Sequence, residues 1–189
     1  EKPLKNLFLN KIICHPTLMM RKEAIISLHG YSSQYPTSED YDLFYRAIRR
    51  GYKIDKLNKT LLSYRIHSSS KAFQENIDQS ASREYILIKY SYLEDILKKK
   101  KNVLIWGAGG AGRLFLRIMT EKQWDIRIIG FIDQYKSGIL EGFPIYKPED
   151  LDRITHDYII ICNTTNQDEI FSSLERRGLE FPKNFSPII

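Results

Sequence analysis

The chain has 189 residues, 42% hydrophobic and 28% charged, a balance that supports a packed core and excludes wholesale disorder, at a length that fits one ordinary domain or two small ones. No apolar run approaches the roughly 18 residues of a membrane-spanning helix, and no basic stretch leads into an apolar segment with a cleavage site, so neither a transmembrane segment nor a signal peptide is expected. The net charge of +6 is uneven: residues 1–100 carry 18 Lys and Arg against 11 Asp and Glu, whereas residues 101–189 carry 11 against 12.

In chain order, residues 7–20 form an apolar run broken by His15-Pro16. They are expected to be a strand with a bulge or an edge, because proline cannot donate to a ladder. Residues 21–28 suit a short helix that stops at Gly30. A polar, aromatic loop leads to Ser38, placed to cap a helix whose first turn carries Glu39, Asp40 and Asp42. Leu43, Ala47 and Ile48 give that helix an apolar stripe, and Gly51 closes it. Residues 52–57 and 60–67 are expected as short extended pieces, and 71–100 as a long helix ending in lysines that complement its dipole. Cys14 and Cys162, far apart in apolar runs, read as buried thiols in a reducing compartment rather than a disulfide or a zinc site, which makes the cytoplasm the expected location.

From residue 101 the pattern changes to strands alternating with helices: NVLIW, a glycine turn, RLFLRIMTEK, DIRIIGFID, FPIY, a helix start at PEDLD, DYIIICN and NQDEIFSSLERRG. Such alternation predicts right-handed βαβ units and a parallel sheet, so the fold class is α/β. The expected division is a first domain over residues 1–70, a helical linker over 71–100, and a Rossmann-like domain over 101–189.

The glycine turn fits G-x-G-x-x-G through Gly107, Gly109 and Gly112, with Gly110 between them, and it stands between a strand and a helix as that motif requires. Gly107 permits the tight turn, Gly109 lets a pyrophosphate approach the backbone, and Gly112 lets the helix pack close to the sheet. Asp133 ends the second strand, where a carboxylate accepts hydrogen bonds from ribose hydroxyls. The ligand expected there is a nucleotide or NAD; the alternative is a glycine turn set by packing alone. A tyrosine and lysine four residues apart, as a short-chain dehydrogenase needs, are missing after the fourth strand, which weakens an oxidoreductase reading. Residues 107–113, 130–133, 142–145 and 158–163 resemble the small Rossmann-like domain attached to bacterial polysaccharide-biosynthesis proteins. That resemblance implies a module that binds nucleotides or nucleotide sugars without chemistry of its own.

Three polar clusters lie in the first part: His15-Pro16-Thr17 with Arg21, Glu39-Asp40 with Asp42 and Arg46, and Tyr64-Arg65-Ile66-His67. The succession HPTLMMRK (15–22), Gly30-Tyr31, EDYDLFYR (39–46), Gly51, Lys53-Ile54 and LLSYRIHSSS (61–70) resembles the C-terminal half of the family 2 glycosyltransferases, inverting enzymes with the GT-A fold. The resemblance implies that Asp40 is the base that takes the acceptor proton, that Glu39 neighbours the acceptor or orients Asp40, that His67 contacts the diphosphate or the metal, and that His15 lines the site. It also implies a nucleotide-sugar donor, a glycan or lipid-linked acceptor, and a divalent Mg or Mn ion. Each residue has a structural alternative: first-turn helix charges for the acids, an edge-strand position for Arg65 and His67, and a core position for His15. Asp40-Tyr41-Asp42 formally reads D-x-D, but it opens a helix instead of following an apolar strand, and is rejected as the metal site.

The donor-binding half of a GT-A domain is not in this sequence, so the chain is expected to be the C-terminal part of a longer transferase of surface polysaccharide synthesis. That parent would be cytoplasmic, with the inner membrane face as a possible working place. A non-catalytic nucleotide- or nucleotide-sugar-binding regulatory module is the alternative. No aromatic-basic platform or reading helix stands out, so nucleic acid is not an expected partner.

Overall fold

The computed structural model describes residues 2–9, 14–55, 57–63, 65, 67–69 and 80–189. The chain divides into two compact units, Glu1–Ile88 and Lys89–Ile189.

In the first unit the described elements are helix α1 (Lys2–Phe8), a 3-10 turn (His15–Thr17), α2 (Lys22–Ser27), α3 (Glu39–Arg49) and the start of α4 (Ser80–Leu97), inside which the division between the units falls. The strand expected over residues 7–20 is corrected in its described parts: Leu7 and Phe8 end α1, and Pro16 lies in the first turn of the 3-10 helix, just after His15, where its missing N–H is no loss. Residues 10–13 lie outside the described residues. Cys14 is also corrected: it is exposed, and its carbonyl accepts the Thr17 amide and hydroxyl at 2.8 and 2.7 Å. The described residues of 52–67 form no helix and join no strand ladder, residues 58 and 59 bend, and 57–63 face solvent. Ser38 precedes α3 as expected, yet its buried hydroxyl makes no cap hydrogen bond.

The core of this unit forms because α3 is strongly amphipathic. Leu43 and Ala47, one turn apart, bury against Leu28, with Met20 and Ile54 packed alongside. Tyr41 is fully buried, and its hydroxyl donates to the Leu7 carbonyl at 3.0 Å. Its ring lies 4.6 Å from that of Tyr85 on α4, while Glu84 accepts the Thr37 amide at 3.0 Å.

The second unit holds a six-stranded sheet of order β3-β4-β2-β1-β5-β6. Its strands are β1 (Val103–Trp106), β2 (Ile128–Ile132), β3 (Gly138–Leu140), β4 (Phe143–Tyr146), β5 (Tyr158–Ile161) and β6 (Phe185–Pro187). All pairs are parallel except the β3–β4 hairpin, and the register sets Ile105 beside both Phe131 and Ile160. β1 and β5 are buried throughout, as their unbroken apolar runs require for central parallel strands. Helices α5 (Gly110–Glu121) and α6 (Gln167–Arg176) complete the alternation. The mixed α/β class is therefore as the sequence predicts. Two edge strands, β3 and β6, are additional. The PEDLD helix start is a 3-10 turn, Pro148–Arg153, in which Asp150 accepts the Lys147 amide at 3.1 Å.

Lys89 on α4 is fully buried, and burial pushes its ammonium from the ordinary 10.5 down to about 7, against a smaller opposite effect of the Cys162 thiol. The same burial raises the Cys162 thiol. Because the unfolded chain holds the Lys89 proton up to a higher pH than the folded one, Lys89 makes stability rise with pH from about 7, and this gain is lost as pH falls back; above about 9 the raised Cys162 thiol, whose proton the folded chain keeps longer, acts in the opposite direction. Urea unfolding of wild type and Lys89→Met from about pH 6.5 to about pH 9 is expected to show this gain in the wild type and a flatter profile in the variant. Equal slopes would contradict the assignment.

Candidate functional site

Each unit carries one cluster of the sequence-predicted residues. In the first unit, α3 presents Glu39 and Asp40 in its first turn, where backbone N–H groups favour negative charge. Asp40 Oδ1 accepts the Tyr41 amide at 2.7 Å, and Asp40 Oδ2 lies 4.0 Å from His15 Nδ1, with the two side chains 31% and 36% exposed, so the carboxylate is open to solvent. His15 Nε2 pairs with the Tyr31 hydroxyl at 2.8 Å, and the His15 ring meets Phe44 edge-on at 6.5 Å. The contact thus joins two of the predicted residues, His15 and Asp40. Tyr31 is its missed member; the only sequence signal was its place after Gly30.

Asp42, two residues on, has the opposite environment. Its side chain is 8% exposed and sits 2.7 Å from Arg46, one helical turn away. Arg46 also donates to the carbonyls of Leu28 and Gly30, tying the end of α2 to α3. Asp42 is therefore a packing residue, in keeping with the rejection of D-x-D. His67 lies in the exposed segment with Nδ1 3.0 Å from Ser69 Oγ. Tyr64 and Ile66 are outside the described residues. Among the described residues no group of three or more His, Cys, Asp or Glu side chains is disposed to hold a metal ion, so the divalent ion implied by the resemblance finds no ligand set there.

The second cluster stands at the carboxyl ends of β1 and β5. The chain order reverses there, and α/β sheets open a crevice at such a point. Gly107 has φ +122°, and a Cβ on it would meet the Cys162 carbonyl oxygen at 2.7 Å. A Cβ on Gly112 would fall 2.1 Å from the Gly107 carbonyl oxygen, so α5 can start here only with glycine. At Gly109 and Gly110 a Cβ would meet nothing within 4 Å: packing does not require these glycines, and the ground in front of them is open.

Asp133 faces this turn. Its Oδ2 accepts the Ala108 amide, and its Oδ1 the amides of Tyr135 and Lys136, each at 2.9 Å. Burial alone would raise its carboxyl, but the amides of Lys136, Ala108 and Tyr135 and the Lys136 charge together hold it below the usual carboxylate range. Lys136 Nζ in turn donates to the Ala108 carbonyl at 2.8 Å. Lys147 Nζ donates to the carbonyls of Gln134 and Lys136 at 3.0 and 2.9 Å. Neither lysine was singled out from sequence; the spacing D-x-x-K was the available signal. Across the crevice, Asn163 Oδ1 accepts the amides of Thr165 and Asn166, shaping the loop that leads into α6.

Residues 99–183 match the family described as C2185-like, N-terminal. The chain is 39% identical over 100 residues to the O-antigen biosynthesis glycosyltransferase WbnJ of Escherichia coli, a match covering 52% of this chain and 34% of WbnJ. It is 32% identical over 108 residues to the uncharacterized glycosyltransferase MJ1057 of Methanocaldococcus jannaschii, covering 54% and 34%. The chain thus spans about a third of the length of the curated relatives it matches. Among solved structures, the Rex-family repressor RSP aligns over 92% of this chain and 89% of its own, at 16% identity and a TM-score of 0.40, and RSP with β-NADH at 15% and 0.39. That likeness is too slight to inform either cluster.

The two kinds of glycine should separate in stability. Gly112→Ala is expected to lower the melting temperature sharply or abolish folding of the second unit, because the new methyl collides with backbone; Gly110→Ala is expected to leave it nearly unchanged. Thermal unfolding followed by circular dichroism reads both, and equal effects would contradict the packing role.

Proposed function

We propose that this chain is the C-terminal portion of a family 2, inverting glycosyltransferase with a GT-A catalytic domain, joined to a nucleotide-binding Rossmann-like unit and acting in the synthesis of surface polysaccharide. The glycosyltransferase names of WbnJ and MJ1057 support the activity class, and the O-antigen role printed for WbnJ supports the product class. The observation that carries the mechanism is the accessible Asp40 carboxylate beside His15, set against Asp42 neutralised by Arg46.

In this reading the acceptor hydroxyl gives its proton to Asp40. Its oxygen bonds to the anomeric carbon as the bond to the diphosphate breaks on the opposite face, and the nucleoside diphosphate leaves with its electrons. Asp40 stands in the first turn of α3, His15 orients it, and Glu39 borders the acceptor. His67 would meet the diphosphate. The donor is a nucleotide sugar, and a divalent Mg or Mn ion would polarise its diphosphate when bound. The acceptor is a glycan or a lipid-linked sugar, and the enzyme works in the cytoplasm at the inner membrane face. No helix among the described residues is long and apolar enough to cross a membrane.

A second reading, a non-catalytic nucleotide or nucleotide-sugar sensor, is favoured by the open ground before Gly109 and Gly110 at the switch point of the second unit. The two separate in the longer parent protein. Asp40→Asn is expected to cut sugar transfer by about 10²–10⁴-fold while leaving donor binding intact. His15→Gln is expected to give a smaller loss. An Asp40→Asn parent that retains full transfer, assayed by nucleoside diphosphate release, would remove Asp40 as base.

A further inference from the structure

We infer that Tyr31 is a positioning residue for the transfer step: by donating to His15 Nε2, its hydroxyl holds His15 in the tautomer whose Nδ1–H faces Asp40. This rests on the reading of Asp40 as the base and adds the residue that sets what His15 presents to it. The tautomer follows from what each group can offer. A carboxylate only accepts hydrogen bonds, and a neutral imidazole carries one N–H and one bare nitrogen. Asp40 Oδ2 stands 4.0 Å from His15 Nδ1, so the hydrogen belongs on Nδ1; a lone pair there would face a negative oxygen. Nε2 is then an acceptor, and the Tyr31 hydroxyl at 2.8 Å is its donor. The opposite assignment, with Nε2–H donating to Tyr31, would turn the bare nitrogen on Asp40.

The surroundings fix both rings. Tyr31 follows Gly30, whose φ of +67° turns the chain and whose carbonyl accepts from Arg46 at 2.8 Å, and Arg46 is itself paired with Asp42. The His15 ring lies 5.5 Å from the Tyr31 ring and 6.5 Å from that of Phe44. Aromatic contacts thus set where the imidazole stands, and the hydroxyl sets which nitrogen carries hydrogen. At 4.0 Å the Nδ1–H faces Asp40 without a full hydrogen bond, and contacts of this kind tighten once substrate is bound. No proton leaves Tyr31 or His15 in this role: the Nδ1–H stays in place and fixes the direction of the carboxylate that receives the acceptor proton.

The first readout is long-range ¹H–¹⁵N NMR of the histidine rings in the whole chain at about pH 8, where an ordinary imidazole is neutral. The His15 signals are assigned by their loss in His15→Gln. Wild type is expected to carry the hydrogen of His15 on Nδ1. Tyr31→Phe, which keeps the ring and removes only the hydroxyl, is expected to move His15 toward the Nε2–H form and leave His29, His67 and His156 unchanged. The second readout is transfer by the longer parent protein. There Tyr31→Phe is expected to lower kcat by about three- to tenfold, the scale of one neutral hydrogen bond, with the KM values of donor and acceptor unchanged. A wild-type His15 with its hydrogen on Nε2 would overturn the inference and leave Asp40 as the base, and that reading needs no variant to fold. A shifted tautomer with unchanged kcat would overturn the positioning role. Full transfer by Asp40→Asn would remove the base assignment and the inference with it.

Discussion

The sheet unit depends on one clearance, that between the first turn of α5 and the Gly107 carbonyl. With a hypothetical Cβ at Gly112 only 2.1 Å from that oxygen, no side chain fits, and the helix packs directly against the turn. The same turn places the Ala108 amide 2.9 Å from Asp133, at the end of β1 where the strand order reverses. Positions fixed by packing and positions that packing leaves open thus alternate along a single motif. Gly107 and Gly112 answer to backbone neighbours, whereas Gly109 and Gly110 answer to nothing in the protein.

In the first unit, two carboxylates on one helix turn have opposite fates. Asp42 points toward the core and is neutralised by Arg46, whose remaining donors hold the chain between α2 and α3 through Leu28 and Gly30. Asp40 is rotated away from that clamp, toward His15 and solvent. Helical geometry makes the division: residues two apart sit on different faces, so a buried, paired acid and an accessible one can share one turn. Tyr31 completes the arrangement by holding the far nitrogen of His15.

The strongly periodic or buried segments could be read from sequence. The central strands are continuous apolar runs, and α3 and α6 have clean 3.6-residue stripes. Their types follow from residue pattern because burial enforces it. The edges were harder. β3 and β6 have three residues each, too few to show a period, and they exist because a neighbouring strand offers a partner. The run at residues 7–20 misled because apolar content alone does not separate a strand from a helix end. The site was partly legible for the same reason: glycines and first-turn acids have local signatures, whereas Tyr31 and Lys136 act across loops whose closure no local spacing encodes.

The most direct test of the central account is stereochemical. The parent protein, given α-linked nucleotide sugars and a glycan acceptor, would be followed by ¹H NMR of the newly formed glycosidic bond. Single displacement with Asp40 as base predicts a β-linked product from an α-linked donor. An α-linked product would require a different mechanism and contradict the role given to the His15–Asp40 contact.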